Sequence, residues 1–220
     1  MKKRLLIACT MQLDSIRFIM KKENIKIPVI WLERSLHYSP DKLHKRIQDE
    51  ICEHQDADEI LLSYGLCGNA ALGLCSQNTR LIMPAFDDCI CQLLYRGSGK
   101  DRIMPEKGCF YLTREWTIDR LGIVQQCEEI YDRYGSVDGQ KMIDEIYAGY
   151  HTLAPLLTGA YDVDKIRGYV DKAAKYTKMC VKPQKASVEI LENMLKGDYR
   201  NDILNLQPGE AVRRMSLSMK

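Results

Sequence analysis

The stretch DEILLSYGLCG, residues 58–68, decides the fold of this 220-residue chain. Its apolar part shows no alternation of polar and apolar residues, which is typical of a parallel strand that is covered on both faces. The run ends in a Tyr-Gly pair, and a cysteine follows after one further residue, between Leu66 and the pair Gly68-Asn69. The pattern therefore predicts a buried strand over residues 58–65, with Cys67 just beyond its carboxyl end.

Similar apolar runs elsewhere in the chain predict further strands. Helical patterns separate the first three strands in chain order, of which residues 58–65 form the third. We expect helices over roughly residues 12–22 and 39–55, the second capped by Ser39. The further predicted strands cover residues 4–9, 27–33, 79–86 and 108–113. Strands that alternate with helices predict a mostly parallel sheet in a Rossmann-like layered α/β fold.

The second half of the chain has a different character, with helical patterns in most of its length. The predicted helices cover residues 119–135, 139–157, 162–178 and 187–197, and short strands are predicted over 179–184 and 202–210. We therefore expect one α/β domain over residues 1–220. In it, residues 1–116 form the sheet and carry the site, and the helix-rich residues 117–220 pack on that half.

Composition and charge exclude several classes of protein. The net charge is only +2, from 32 basic and 30 acidic residues, which gives no argument for a nucleic acid or an anionic membrane as partner. No apolar run approaches the length of a membrane-spanning helix, and the apolar run near the N-terminus is too short for the core of a signal peptide. We expect a cytoplasmic protein.

The chain has nine cysteines, an odd number that argues against a disulfide framework in a reducing compartment. There is no CxxC motif, and the closest pair is Cys89 and Cys91. The local spacing of zinc ribbons and ferredoxins is therefore absent. Any metal site has to be assembled from distant segments.

Three cysteines stand at or just beyond predicted strand ends: Cys9, Cys67 and Cys89. In open α/β sheets, ligands bind beyond the carboxyl ends of the strands, so the three are predicted to share one edge. Thiolates are strong ligands for zinc and for iron–sulfur clusters, and three protein ligands leave one position open for chemistry. The alternative interpretation is that these cysteines are small core residues.

The neighbours of these cysteines add local reasons for ligand binding. Gly65 and Gly68 flank Cys67, where the small backbone lets a bulky group approach. Cys89 follows two aspartates at a predicted helix start, where the helix dipole favours a thiolate. His37 follows the second strand near the same edge, and is either a fourth ligand, a general base or a plain turn residue.

Five segments, in this order and spacing, resemble the DUF1638 family of uncharacterised prokaryotic proteins. They are LLIACTM (5–11), SLHYSPDKLHKRIQDEI (35–51), ILLSYGLCGNAALGL (60–74), LIMPAFDDCICQLLYRGS (81–98) and KGCFYLTREW (107–116). The resemblance is looser from there to GDYRNDILNLQPGE (197–210). The family pattern picks out Cys9, His37, Cys67, Asp88 and Cys89, with Gly65, Gly68, Asn69, Gly97 and Ser98 around them. We expect Cys9, Cys67 and Cys89 as metal ligands, and His37 and Asp88 as catalytic residues, with Asp88 fixing a ligand or a water. The residues around them are expected to bind a cofactor.

The chain departs from the family pattern at four positions. Ala70 and Glu115 replace glycines, Cys109 stands where threonine is usual, and Tyr199 replaces a tryptophan. The change at Ala70 alters the loop near Cys67. Cys109 either adds a thiol to the site or is neutral.

The resemblance implies a link to corrinoid-dependent methyl transfer from methylated amines. A zinc ion held by thiolates and imidazole activates a thiol nucleophile, which fits such chemistry. A [4Fe–4S] cluster on three cysteines, with one open iron, fits equally. We therefore expect a metal-dependent enzyme or accessory protein of one-carbon or methylamine metabolism, with a small-molecule substrate and a corrinoid protein as partner. A non-catalytic module that binds a cofactor or a corrinoid protein is the alternative, as is a metal-free fold that binds a small ligand.

Overall fold

Strands occur in both halves of the chain in the computed structural model, which describes residues 2–95, 104–118, 120, 122–200 and 202–214. The strands are β1 (Arg4–Cys9), β2 (Val29–Leu32), β3 (Glu59–Leu62), β4 (Arg80–Pro84), β5 (Cys109–Leu112), β6 (Thr152–Leu157), β7 (Cys180–Val181), β8 (Gln184–Lys185) and β9 (Ile203–Leu206).

Helices separate most of these strands. They are α1 (Leu13–Lys22), α2 (Pro40–Glu53), α3 (Cys89–Leu93), α4 (Arg114–Ile118), α5 (Ile123–Ile146), α6 (Arg167–Thr177) and α7 (Glu189–Lys196). Within the residues that the structure describes, no helix is both long enough and apolar enough to cross a membrane.

The strands form two sheets. The first has the order β2-β1-β3-β4-β9, and its first four strands run parallel, whereas β9 is antiparallel to β4. In the second sheet β6 pairs in parallel with β5, β7 and β8. The prediction of a mostly parallel, Rossmann-like α/β fold is confirmed.

The central strands of the first sheet are buried on both faces, which explains their unbroken apolar sequence. Ile7 and Leu62 face one core cluster, which also holds the α2 side chains Leu43, Ile47 and Ile51. Leu6 and Leu61 face a second cluster, formed with side chains of α1 and α7. A strand that packs helices on both faces has no solvent side, so the period of two disappears.

The prediction of a helix over residues 139–157 is wrong in its last third, where Thr152–Leu157 forms β6. A short buried apolar run has the same pattern in a strand as in a buried helix, so periodicity does not separate the two. The helical part ends at Ile146, and α5 is kinked at Gly135, whose φ of +73° interrupts the helical conformation. This kink falls at the last residue of the first of the two predicted helices, 119–135.

The position of β6 decides where β5 lies. β5 pairs with β6 and not with the first sheet, so one sheet joins residues from both sides of position 116. Helix α4, which follows β5, returns to the first sheet: the carboxylate of its Glu115 accepts a hydrogen bond from the backbone N–H of Asp14 at 2.7 Å. Arg114 forms an ion pair with the Asp14 side chain at the same place. The carboxyl end of β5 therefore lies beside that of β1.

Candidate functional site

Parallel pairing places the ends of β1, β2, β3 and β4 at one edge of the first sheet. Cys9 is the last residue of β1, and His37 lies in a 3₁₀ turn, Arg34–Tyr38, that follows β2. Cys67 lies in the loop after β3, and Cys89 is the first residue of α3, shortly after β4. The structure thus carries these four side chains on four neighbouring strand ends.

Cys9 and His37 are in direct contact, with 3.2 Å between Cys9 Sγ and His37 Nε2. Burial raises the pKa of the Cys9 thiol to about 11, although the Met11 N–H, which donates to Sγ at 3.4 Å, lowers it. Burial and the nearby Arg34 cation lower the pKa of His37. At neutral pH both groups are uncharged, so the imidazole is available as a ligand or as a base.

The loop after β3 holds Cys67 in an unusual backbone conformation. Cys67, Gly68 and Asn69 are consecutive residues with positive φ, at 47°, 68° and 74°. The left-handed region is uncommon for residues other than glycine, and it is costly for a cysteine. The loop is tied to the segment after β4, because the Cys67 N–H donates to the Asp87 carbonyl at 2.7 Å.

Gly65 makes this connection between the two loops possible. A Cβ added to it would lie 2.5 Å from the Phe86 carbonyl oxygen and 2.9 Å from the Asp88 nitrogen. The Leu66 N–H donates to the same Phe86 oxygen at 2.8 Å. The sequence suggested that this glycine clears space for a ligand, but the space beside it is filled by the protein's own backbone.

Asp88 caps α3, since its carboxylate accepts from the Cys91 N–H at 2.8 Å. Burial, followed by the negative charges of Cys67, Cys9 and Asp88, raises the pKa of the Cys89 thiol well above its usual value. The pKa of Cys91 rises to about 12, through burial and through the charge of Asp88. Asp88 therefore acts on several thiols, and Cys91 is an additional thiol beside the site that sequence reasoning left unassigned.

The three strand-end thiols are electrostatic neighbours. Burial and a charge on Cys9 raise the pKa of Cys67 to about 12, and Cys89 is affected by both of the others. They are not gathered as tightly as the ligands of one ion, because only one described group of three potential ligands has all its ligand atoms within 4.8 Å of one another. That group is Glu50, Glu53 and His54, at the carboxyl end of α2, where Glu50 already forms an ion pair with Arg46.

Tyr64 lies among these thiols, and sequence reasoning did not assign it a role. Its side chain is only 1% exposed, and its hydroxyl has no hydrogen-bond partner within the part of the chain that the structure describes. The ring stacks on His37, with 6.0 Å between the ring centroids. Burial and the charges of Cys9, Cys67 and Cys89 raise its pKa well above the usual value, so the hydroxyl remains a hydrogen-bond donor.

Two further residues near the Cys9–His37 pair come from the 3₁₀ turn after β2 and from α4, which follows β5. Arg34 is buried, and its guanidinium lies 3.9 Å from the centroid of the Trp116 ring. Glu115 is also buried, and burial raises the pKa of its carboxyl. Sequence reasoning marked Glu115 only as a departure from the family pattern and did not mark Arg34, because the position of both beside Cys9 depends on long-range packing.

Gly97, Ser98 and Cys109 complete the set of residues that the sequence singled out. Gly97 and Ser98 are outside the described residues. Cys109 stands at the amino end of β5, and its pKa is raised by burial and affected by Tyr111, Glu106 and Lys182. Tyr111, Glu106 and Lys182 are not neighbours of the strand-end thiols. Those thiols lie at the carboxyl ends of strands in the first sheet, whereas Cys109 lies at the amino end of a strand in the second sheet.

Comparison with known families gives one match, over residues 31–195, to the family described as a protein of unknown function (DUF1638). The chain belongs to the DUF1638 family. The resemblance stated from the sequence is therefore confirmed, and the DUF1638 match contains His37, Cys67 and Cys89 but begins after Cys9. No curated protein and no solved structure matches the chain. Membership in DUF1638 carries no activity with it, so the function has to be argued from the site.

Proposed function

We propose that this DUF1638 protein holds a thiolate-ligated metal centre and acts in one-carbon or methylamine metabolism, as a metal-dependent enzyme or an accessory protein. Cys9, Cys67 and Cys89 are the ligands, and His37 is a fourth ligand or a base. One observation carries the proposal: the thiols of three separate strand ends all lie within electrostatic range of one buried hydroxyl without a hydrogen-bond partner among the described residues, that of Tyr64.

Packing alone accounts poorly for this arrangement. A left-handed conformation at Cys67 costs roughly 1–2 kcal/mol compared with glycine. A buried hydroxyl that makes no hydrogen bond costs about 1–3 kcal/mol. Both costs fall within one small region, and a core made of ordinary apolar residues would avoid both. A bound centre offsets them, because it uses the thiol that the strained loop presents and supplies an acceptor to the hydroxyl.

The spacing of the thiols bears on the identity of the metal. Sulfur ligands of a tetrahedral zinc, each at ~2.3 Å from the ion, lie about 3.8 Å apart. The three cysteines do not all lie within 4.8 Å of one another, so zinc requires their side chains to close in. A [4Fe–4S] cluster puts each thiolate on a different iron and accepts a wider spread. The wide spacing of the three thiols therefore makes the cluster a second candidate beside zinc.

The protein residues have defined tasks in either case. Metal binding requires the three thiols to lose their protons, which their raised pKa values resist, so affinity should rise with pH. Neutral His37 next to Cys9 is placed to accept one of these protons. A zinc ion bound here would supply an activated thiolate, and a cluster would supply an open iron for substrate. Asp88 would tune the thiols through its charge.

The link to corrinoid chemistry comes from the family resemblance, and the partners are a small-molecule substrate and a corrinoid protein. We propose the reducing cytoplasm as the location. All nine cysteines are free in the structure, which fits a compartment where thiols are not oxidised.

Anaerobic purification followed by zinc and iron analysis tests the metal centre. About one zinc in a colourless protein supports the mononuclear site, and about four irons with a broad band near ~400 nm support the cluster. Cys67→Ala should abolish binding of either. Cys52→Ala is the matched control, since Cys52 is an exposed residue of α2 and should leave the metal content unchanged. A wild-type protein without metal, including after reconstitution, refutes the proposal.

A second assay separates an enzyme from a binding module. Methylcobalamin is incubated with the loaded protein and a thiol, and its demethylation is followed by absorbance. Turnover that Cys67→Ala removes supports an enzyme of methyl transfer. Stoichiometric binding of a corrinoid protein without turnover identifies an accessory protein. The absence of both turnover and binding would refute the corrinoid link.

A further inference from the structure

Tyr64 stands two residues beyond the end of β3, where its side chain turns into the group of strand-end thiols. It is almost fully buried, yet its hydroxyl makes no hydrogen bond to any described residue. Buried polar groups in native proteins are paired in the large majority of cases, so an orphaned hydroxyl calls for an explanation. The imidazole of His37 stacks on the tyrosine ring, with an angle of 25° between the two ring planes.

We propose that Tyr64 is a positioning residue whose hydroxyl donates a hydrogen bond to the centre that Cys9, Cys67 and Cys89 hold, at a sulfur or at a ligand atom. The inference rests on the proposed metal site and adds a residue to it. Donors around a metal site orient its ligands and stabilise the negative charge that thiolates bring. Tyr64 is placed for this task, because it packs in the same core cluster as Cys9 and Cys67 and its hydroxyl lies within electrostatic range of all three thiols.

A purely structural role of Tyr64 makes a different prediction for metal binding, because it expects no loss of metal affinity when the hydroxyl is removed. If the ring only fills the core, phenylalanine does so equally well, and the hydroxyl is a burden on the folded state. Removing a buried polar group that has no partner is neutral or stabilising. A donor to a bound centre instead shows its contribution only when the centre is present. The stability of the metal-free protein and its metal affinity therefore respond to the same substitution in opposite directions.

The test compares Tyr64→Phe with Tyr199→Phe, a matched loss of a hydroxyl far from the site. The Tyr199 hydroxyl donates to Glu59 at 2.7 Å, at the amino end of β3. Melting temperature is measured on the metal-free proteins, and affinity is measured by titration with Zn²⁺ alone against a competing chelator. Iron–sulfide reconstitution is run in parallel on the same proteins, with cluster content read from absorbance.

We expect Tyr64→Phe to keep or raise the melting temperature of the metal-free protein and to lower Zn²⁺ affinity or cluster retention 10- to 100-fold, as loss of such a partner usually does. Tyr199→Phe should lower the melting temperature and leave metal binding unchanged. Wild-type-like metal binding by Tyr64→Phe overturns this inference alone. If the wild-type protein binds neither zinc nor a cluster, the proposed metal site fails, and the inference is overturned with it.

Discussion

Replacement of Gly65 by alanine tests whether the loops after β3 and β4 are joined as the structure shows. The added Cβ would lie 2.5 Å from the Phe86 carbonyl oxygen, 2.9 Å from the Asp88 nitrogen and 3.0 Å from the Asp88 Cα. All three atoms belong to the backbone, so no side-chain rotation relieves the overlap. The two segments have to move apart.

The expected loss follows from what this separation breaks. The hydrogen bonds from Leu66 N–H to the Phe86 oxygen and from Cys67 N–H to the Asp87 oxygen are both lost or stretched. Each contributes about 1 kcal/mol, and overpacking of this kind adds roughly 1–3 kcal/mol. We therefore expect the free energy of unfolding to fall by about 3–5 kcal/mol, a large part of the usual total of roughly 5–15 kcal/mol.

Equilibrium urea unfolding of the metal-free protein measures this loss. Gly168→Ala is the control, because a Cβ there meets no atom within 4 Å and the residue lies in α6, so stability should be unchanged or rise by up to about 1 kcal/mol. Gly65→Ala should also lose bound metal, since Cys67 moves away from Cys89. A stability loss of under about 1 kcal/mol would refute the joined loops, because the overlap alone exceeds it.

Three further predictions concern charge. Burial raises the pKa of Cys9 to about 11 and of Cys67 to about 12, from an ordinary 9.0. Below pH 9 these thiols are protonated in both the folded and the unfolded protein. Above pH 9 the unfolded thiols ionise first, so the free energy of unfolding of the metal-free protein should fall between pH 9 and 11. Urea titrations measure this change, and a flat profile contradicts the burial of the two thiols. Asp88→Asn keeps a capping side chain but removes the negative charge that raises the pKa of Cys91. Iodoacetamide should therefore alkylate Cys91 of this variant faster at pH 9, as measured by mass spectrometry. An unchanged rate of alkylation excludes the charge effect. Glu59→Ala removes a buried carboxylate flanked by three basic side chains and should cost about 3 kcal/mol in urea unfolding, whereas a near-neutral result would mean that these ion pairs are not formed in solution.

The sequence by itself determined the parallel strands of the first sheet and the edge at which the predicted site residues lie. The unbroken apolar runs of β1 and β3 report burial on both faces, and burial is a local property of the pattern. Parallel pairing then follows from the alternation with helices, and it puts Cys9, His37, Cys67 and Cys89 on neighbouring strand ends without any further information. Their role as ligands remains a prediction.

The tertiary structure alone decided the rest, because it depends on contacts between residues that are distant in the chain. The run at β6 is a strand only because β5, β7 and β8 pair with it, and no local pattern encodes those partners. The same long-range packing brings Glu115 beside Asp14 and leaves the Tyr64 hydroxyl buried without a partner. It also shows that Gly65 is required for a close approach of two backbones, which neighbouring sequence cannot reveal.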